Sequence, residues 1–323
     1  MTAKSTRARL ASRVLATTVT LPWLGWAVIR TFGLESTDLL VSAISFTPYV
    51  ALTSPVPVLV AAVLRRWGIA ALALVPVGML AAAVLPRAIA DSQPETGQGA
   101  QTLVVMSVNL HDGRADPLEI MRLVREEKVD LLCMLEVGSA IPRLDAAGAK
   151  RLLPGRVLAP RARAGGSALL VRRGLALTTP IRDESEQPSA TISFPAGHKV
   201  SVEAIHAPPP TNHNDALAWR RTLENLPAAG KGRDLRLLVG DFNGTLDHRE
   251  VRHLLNRGYG DAADETGSGL RPTWPVDSSR PPITIDHILT DDRIAVREFR
   301  VHEIGGTDHR AIIATVVLPR QPD

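Results

Sequence analysis

The chain has 323 residues, 45% of them hydrophobic, and 37 Lys plus Arg against 33 Asp plus Glu, for a formal net charge of +4. The excess is local: eight basic and two acidic residues lie up to Ala90, while 29 basic meet 31 acidic beyond it, so the basic balance is no footprint for nucleic acid. Cys133 is the single cysteine, which excludes an intrachain disulfide and a thiolate metal site and fits a small buried hydrophobe.

The N-terminal segment carries Lys4, Arg7, Arg9 and Arg13 ahead of an apolar run from Val14 to Ile29 that stops at Arg30. Snorkelling of Arg30 lets Thr31 to Leu34 complete a membrane span, with a signal-peptide core as the alternative. Two more apolar runs, Leu39 to Leu64 and Trp67 to Leu85, are joined by Arg65 and Arg66. Together they predict a three-helix transmembrane anchor over residues 1–90, with spans at about 14–34, 39–64 and 67–87, the second kinked by Pro48, Pro55 and Pro57. Basic residues at the span ends place the N-terminus and the Arg65-Arg66 turn in the cytoplasm, and three spans then leave the remainder extracytoplasmic. Ala88-Ile89-Ala90 has the small residues of a signal-peptidase site. Residues 91–101 are polar, with Pro and Gly, and read as a linker.

Residues 102–323 alternate strand and helix signals, as expected of one α/β domain. A β-branched strand over Thr102 to Val108 ends in Asn109; Asp116-Pro117-Leu118-Glu119 starts a helix reaching about Lys128; Val129 to Leu135 ends in Glu136. Strands follow over Gly166 to Val171, Thr191 to Phe194, and Lys199 to Ile205, the last ending in His206. A helix over Asp215 to Leu226 precedes the strand at Arg236 to Gly240 and its terminal Asp241. A short helix over Asp247 to Asn256, a strand over Ile283 to Leu289 holding Asp286 and His287, and a last strand over Ala311 to Leu318 after Asp308 and His309 complete the pattern.

Apolar strands that stop at Asn109, Glu136, His206 and Asp241, with another beginning after His309, can bring those groups to one rim. Carboxylate and amide oxygens suit a hard cation, Mg²⁺ or Mn²⁺, with imidazoles free for proton work. Taken singly, Asn109 is a turn residue, Glu136 a surface acid and His206 a loop histidine; the ordered set carries the reading. His111, His198, His213, His248, His253 and His302 belong to no motif and are expected to be solvated.

In order, Val108-Asn109, Leu135-Glu136-Val137, Ile205-His206, Gly240-Asp241-Phe242-Asn243, Ile285-Asp286-His287 and Thr307-Asp308-His309 resemble the endonuclease/exonuclease/phosphatase superfamily over about residues 102–318. The resemblance implies a four-layer α/β (α+β) sandwich of two packed β-sheets flanked by helices, and a hydrolase that cleaves phosphoester bonds with Mg²⁺ or Mn²⁺. It implies Glu136, Asn109 and Asp308 as metal ligands, Asp241 and Asn243 at the attacking water, His206 and His309 as donors to phosphoryl oxygens, and Asp286 as the group that orients His309. Whether Asp241 or His309 is the base stays open, and His287 replaces a frequent aromatic. The anchor in front of this domain resembles the teicoplanin-resistance membrane proteins, which implies an envelope phosphohydrolase whose partners are the lipid bilayer and a lipid-linked phosphate such as undecaprenyl pyrophosphate. A membrane-anchored nuclease or phospholipid phosphodiesterase is one alternative, with nucleic acid disfavoured by the near-neutral domain; a non-catalytic envelope sensor is another.

Overall fold

The structure, a computed structural model, describes residues 3–93, 100–159, 165–178, 187–194, 197–230, 234–276 and 279–319. Its N-terminal part is helical: α1 (Ala3–Phe32), α2 (Asp38–Ile44), α3 (Thr47–Thr53), α4 (Pro55–Val63) and α5 (Trp67–Val84), the last running on into a 3-10 turn over Leu85–Ala88. Among the described residues one helix, Trp67–Ala88, is long and apolar enough to cross a membrane, or two if Asp38–Ile44 and Thr47–Val63, bent by 64°, count as one span. The expectation of a three-helix transmembrane anchor is corrected accordingly. In α1, Thr17, Thr18, Thr20, Pro22 and Arg30 dilute the apolar content. The second run breaks because Pro48 and Pro55 sit in the first turns of α3 and α4, where a missing N–H costs nothing, so they start new helices instead of kinking one. Thr47 Oγ1 seals the first break by donating to the Ile44 carbonyl at 2.7 Å.

Two ends of this helical part can be told apart. Arg66 donates to the Arg9 carbonyl at 2.7 Å and to Ser12 Oγ at 2.5 Å, joining the basic start of α1 to the α4–α5 turn. At the opposite end Arg30 and Arg87 converge on Asp247 of the following domain, at 3.0 Å and 2.6 Å. Buried Ala16, Ala61 and Ala70 let α1, α4 and α5 approach closely, while Leu15, Leu52, Leu59, Val63, Leu72 and Leu74 stay exposed. The linker is anchored at its start, where Asp91 N donates to the Glu265 carbonyl at 2.9 Å; residues 94–99 lie outside the described residues.

The second part comprises β1 (Thr102–Asn109), α6 (Pro117–Glu126), β2 (Leu131–Leu135), α7 (Ile141–Ala146), α8 (Ala149–Leu152), β3 (Gly155–Ala159), β4 (Ser167–Val171), β5 (Ala176–Thr178) and β6 (Ser189–Ser193). It continues with β7 (Lys199–His206), α9 (His213–Glu224), β8 (Leu235–Asp241), α10 (Arg249–Leu255), β9 (Tyr259–Asp261), α11 (Ala262–Glu265), β10 (Asp286–Asp291), β11 (Ala295–His302) and β12 (Ala311–Val317). Two six-stranded mixed sheets form, in the orders β11-β12-β1-β2-β4-β3 and β5-β6-β7-β8-β10-β9.

Side chains alternate across each strand, and in the inner strands both faces are covered, which is why those strands read as continuous apolar runs. Leu103 and Val105 of β1 join Val202, Leu237 and Ile288 between the sheets, whereas Met106 and Val108 meet Ile120 and Val124 of α6 outside. Each such buried side chain stabilises by about 1.5–3 kcal/mol relative to exposure. Behind the second sheet, Trp219 of α9, Phe242 and Leu254 of α10 enclose Val41 of α2, so α2 belongs to this outer layer. The expected layers, helices on both sides of two packed sheets, are present. The strands at β3, β5, β9 and β11 were not expected from the sequence.

Register places the polar strand ends together. Asn109 pairs with Leu135 on parallel β1 and β2, and antiparallel β12 begins beside Ser107. On the second sheet His206, Asp241 and Asp286 are direct cross-strand partners on β7, β8 and β10. Gly240 permits this: at its φ of +146°, a Cβ would stand 2.1 Å from the Ile205 carbonyl oxygen.

Candidate active site

The two sheets meet in a polar cluster at this rim. Asn109 Nδ2 donates to Glu136 Oε1 at 3.0 Å and to Asp241 Oδ2 at 3.2 Å, linking a strand of each sheet through one amide. Glu136 follows β2 with φ +49°, a left-handed conformation uncommon for such a residue, and its Oε2 accepts from Asp112 N at 3.0 Å. His206 Nε2 lies 3.4 Å from Glu136 Oε1. Asp241 Oδ1 accepts from Asn243 N at 2.8 Å, with Asn243 at φ +45° and its amide donating to the Ala207 carbonyl at 2.9 Å.

His309 stands between two carboxylates. Its Nδ1 is 3.0 and 3.2 Å from the oxygens of Asp286, and its Nε2 is 3.8 Å from Asp241 Oδ2. Asp286 is fixed in turn by Thr273, whose hydroxyl accepts from the backbone N–H groups of Ile285 and Asp286, each at 3.1 Å. Thr307 Oγ1 donates to the Asn109 carbonyl at 2.8 Å and accepts from His309 N at 3.1 Å, tying the His309 loop to the end of β1.

Burial sets the protonation states and charge adjusts them. Burial alone raises the Glu136 carboxyl, but hydrogen bonds from His206 and Asn109 and the His206 charge outweigh it and bring it to about 2. Burial and the Asp286 charge lift Asp241 to about 6, against the pull of His309 and His206. Burial disfavours the His309 cation, yet Asp286 and Asp241 overcome it and raise His309 to about 10. At neutral pH the cluster therefore holds an ionised Glu136, an ionised Asp241 and a protonated His309.

Of the residues expected at the site, Asn109, Glu136, His206, Asp241, Asn243, Asp286 and His309 form this one network. Asp308 faces aside: Oδ2 accepts from Trp274 Nε1 at 2.9 Å and Oδ1 lies 3.2 Å from His111 Nδ1. Trp274 and His111 thus border the site. The Trp274 ring, held in a Pro-Thr-Trp-Pro run, is 6.3 Å from that of His309. The expectation of solvated histidines fails at His248, which is fully buried, accepts from Thr245 N at Nδ1 and donates to the Val41 carbonyl at Nε2. His287 takes up the aromatic position by packing edge-on to Phe242 and donating to Asp261 at 2.7 Å and to the Gly244 carbonyl at 2.9 Å. Cys133 is buried as expected, and burial pushes its thiol up to about 12.

A family model described as "Endonuclease/Exonuclease/phosphatase family" matches residues 106–309. The chain belongs to the endonuclease/exonuclease/phosphatase family. The family's members are divalent-metal-dependent hydrolases of phosphoester bonds, and this chain is one. Among solved structures, it is similar to an endonuclease/exonuclease/phosphatase from Beutenbergia cavernae at 18% identity, covering 68% of this chain and 72% of that one, with a TM-score of 0.51. A family protein from Bacteroides thetaiotaomicron matches at 14% identity, covering 68% and 99%, with a TM-score of 0.47. D. rerio TDP2 complexed with single-strand DNA product matches at 13%, covering 67% and 99%, with a TM-score of 0.49. The fold likeness rests on the first of these. A search of curated proteins found no match.

The donor chemistry fits the family's cation. Glu136 is held ionised, and beside it stands the Asn109 amide, whose oxygen accepts from His111 N at 3.0 Å. Asp241, Asp286 and His309 also place ligating atoms within 4.8 Å of one another. That second set suits a cation less well, because the His309 proton competes for its nitrogen.

Proposed function

We propose that the chain is a membrane-anchored, extracytoplasmic phosphohydrolase acting on a lipid-linked phosphoester or pyrophosphate of the cell envelope. One observation carries this reading: the loops beside all three catalytic strand ends of the second sheet touch the N-terminal helices. Ser42 Oγ donates to the Pro210 carbonyl after His206 at 3.1 Å, the loop after Asp241 supplies Asp247 to Arg30 and Arg87, and Tyr49 OH donates to the Pro282 carbonyl before Asp286 at 2.7 Å. The rim that holds the chemistry is thereby the rim that meets the helices. The exposed leucines and valines of those helices support contact with lipid. The shared position of the basic N-terminus and the Arg65-Arg66 turn, away from the catalytic domain, supports the orientation.

In this reading Asp241 is the base. It takes a proton from water as the water oxygen bonds to phosphorus, and the bond from phosphorus to the leaving oxygen breaks with its electron pair on that oxygen. His309, kept protonated by Asp286, donates Nε2–H to a phosphoryl oxygen as negative charge builds, with His206 beside it. Asn243 orients the water. Glu136 and Asn109 would hold Mg²⁺ or Mn²⁺, which supplies neutralisation of phosphate charge, while Asp308 stays turned to Trp274 and His111.

The test is phosphate release from a prenyl pyrophosphate by the full-length protein, beside nicking of plasmid DNA, each with Mg²⁺ and with chelator. Lipid pyrophosphate hydrolysis that needs the metal and is lost in His309→Ala is expected, with a reporter fused after Asp323 active outside the cytoplasm. Faster turnover of DNA, or a reporter active only in the cytoplasm, would overturn the reading.

A further inference from the structure

Where the helices meet the catalytic domain they leave a cavity of about 570 Å³, within the range of small-molecule sites. Val77 and Ala81, one turn apart on α5, form one wall; Leu52 and Pro55 form the second; Leu270 and Ile283 of the catalytic domain form the third. The lining is overwhelmingly apolar. Its two charged residues neutralise each other, since Arg87 grips both oxygens of Asp247 at 2.9 and 2.6 Å. Nothing here would hold a charged headgroup, and an apolar chain would lose its water at no polar cost.

The cavity adjoins the catalytic rim on two sides. Thr245 lies two residues from Asn243 and Thr284 two residues from Asp286, and both line it. Ile283 forms a strand bridge with Trp274, the residue that binds Asp308 and faces His309. On its other side the cavity is bounded by the helix long enough to cross a membrane and by Leu52, 78% exposed. We infer that this cavity is a binding site for the hydrocarbon chain of the substrate, received from the bilayer while the phosphate reaches the acid–histidine cluster. The inference deepens the proposed function and rests on it for the identity of the headgroup.

The experiment compares farnesyl pyrophosphate with its short-chain homologue dimethylallyl pyrophosphate, which carries the same headgroup, on the full-length protein in detergent micelles. Wild type should favour the longer chain in kcat/KM. Ala81→Phe, and independently Val77→Phe, should each lower kcat/KM for farnesyl pyrophosphate by about tenfold or more while leaving the short substrate unchanged. Equal loss on both substrates, or no loss, overturns the cavity assignment and leaves the phosphohydrolase reading intact. If wild type hydrolyses neither, that reading fails, and a photoreactive farnesyl pyrophosphate decides the cavity by itself. Label on Leu270 or Ile283 that disappears in Ala81→Phe supports the chain site. Label confined to other segments, or matched by a photoreactive phosphatidylcholine, overturns it.

Discussion

Replacing Asp286 by asparagine keeps the shape of the side chain that holds His309 and removes its charge. The carboxylate is the largest influence raising His309 to about 10, and it also lifts Asp241 toward 6. At pH 8 a histidine with a pKa of about 10 is about 99% protonated, whereas one returned to its ordinary value of about 6.5 is about 3% protonated. Loss of the imidazolium alone therefore predicts a roughly 30-fold fall in kcat/KM at pH 8, about 2 kcal/mol of transition-state stabilisation. Because the same charge raises Asp241, both limbs of the pH profile should move to lower pH, and part of the lost rate should return near pH 6. Stability follows the same sign. His309 has its pKa raised by folding, so its contribution is complete below about 6.5 and is lost as pH rises through about 10. Asp241 is raised only to about 6, so that alkaline window belongs to His309. Kinetics from pH 5 to 10 and thermal unfolding over the same range check both parts. An Asp286→Asn profile reduced equally at every pH, with its limbs unmoved, would refute this account of the pair.

Glu136→Gln removes the one site charge held far below neutrality, and the Mg²⁺ concentration for half-maximal activity should rise by about 100-fold or more. A metal titration with an unchanged midpoint would remove Glu136 from the ligand set. Asp247→Ala leaves Arg30 and Arg87, whose side chains are 15% and 6% exposed, without their shared carboxylate. Breaking a buried pair from one side costs about 3–5 kcal/mol, so the full-length protein should lose about 6–20 °C in Tm. A shift of only a degree or two would mean that both guanidinium groups reach water instead.

The strand ends were legible because a buried apolar run followed at once by Asn109, Glu136, His206 or Asp241 has few physical explanations, and one-dimensional alternation reports burial on both faces. Edge elements were harder. β11 carries exposed Arg297 and Glu298 and a bulge beside them, which breaks the alternation that a strand would show. The docking of the helices escaped the sequence for another reason. Val41 and Leu39 look alike in a hydropathy run, yet Val41 fills a socket beside Trp219 and Leu39 is 75% exposed, a difference fixed by a partner about 180 residues away. His248 was misjudged likewise, since its acceptor, the Val41 carbonyl, comes from that distant helix.

Ala90 ends the segment whose small residues resemble a cleavage site, but its backbone forms a strand bridge with Thr266, and Gly267 leaves no room for a Cβ against the Ala90 nitrogen. A catalytic domain severed there and shed from the helices would expose the hollow that Val41 fills and strand Asp247 without either arginine. Each half would then lack the partner that completes it, so the two parts of the chain are built to stay joined.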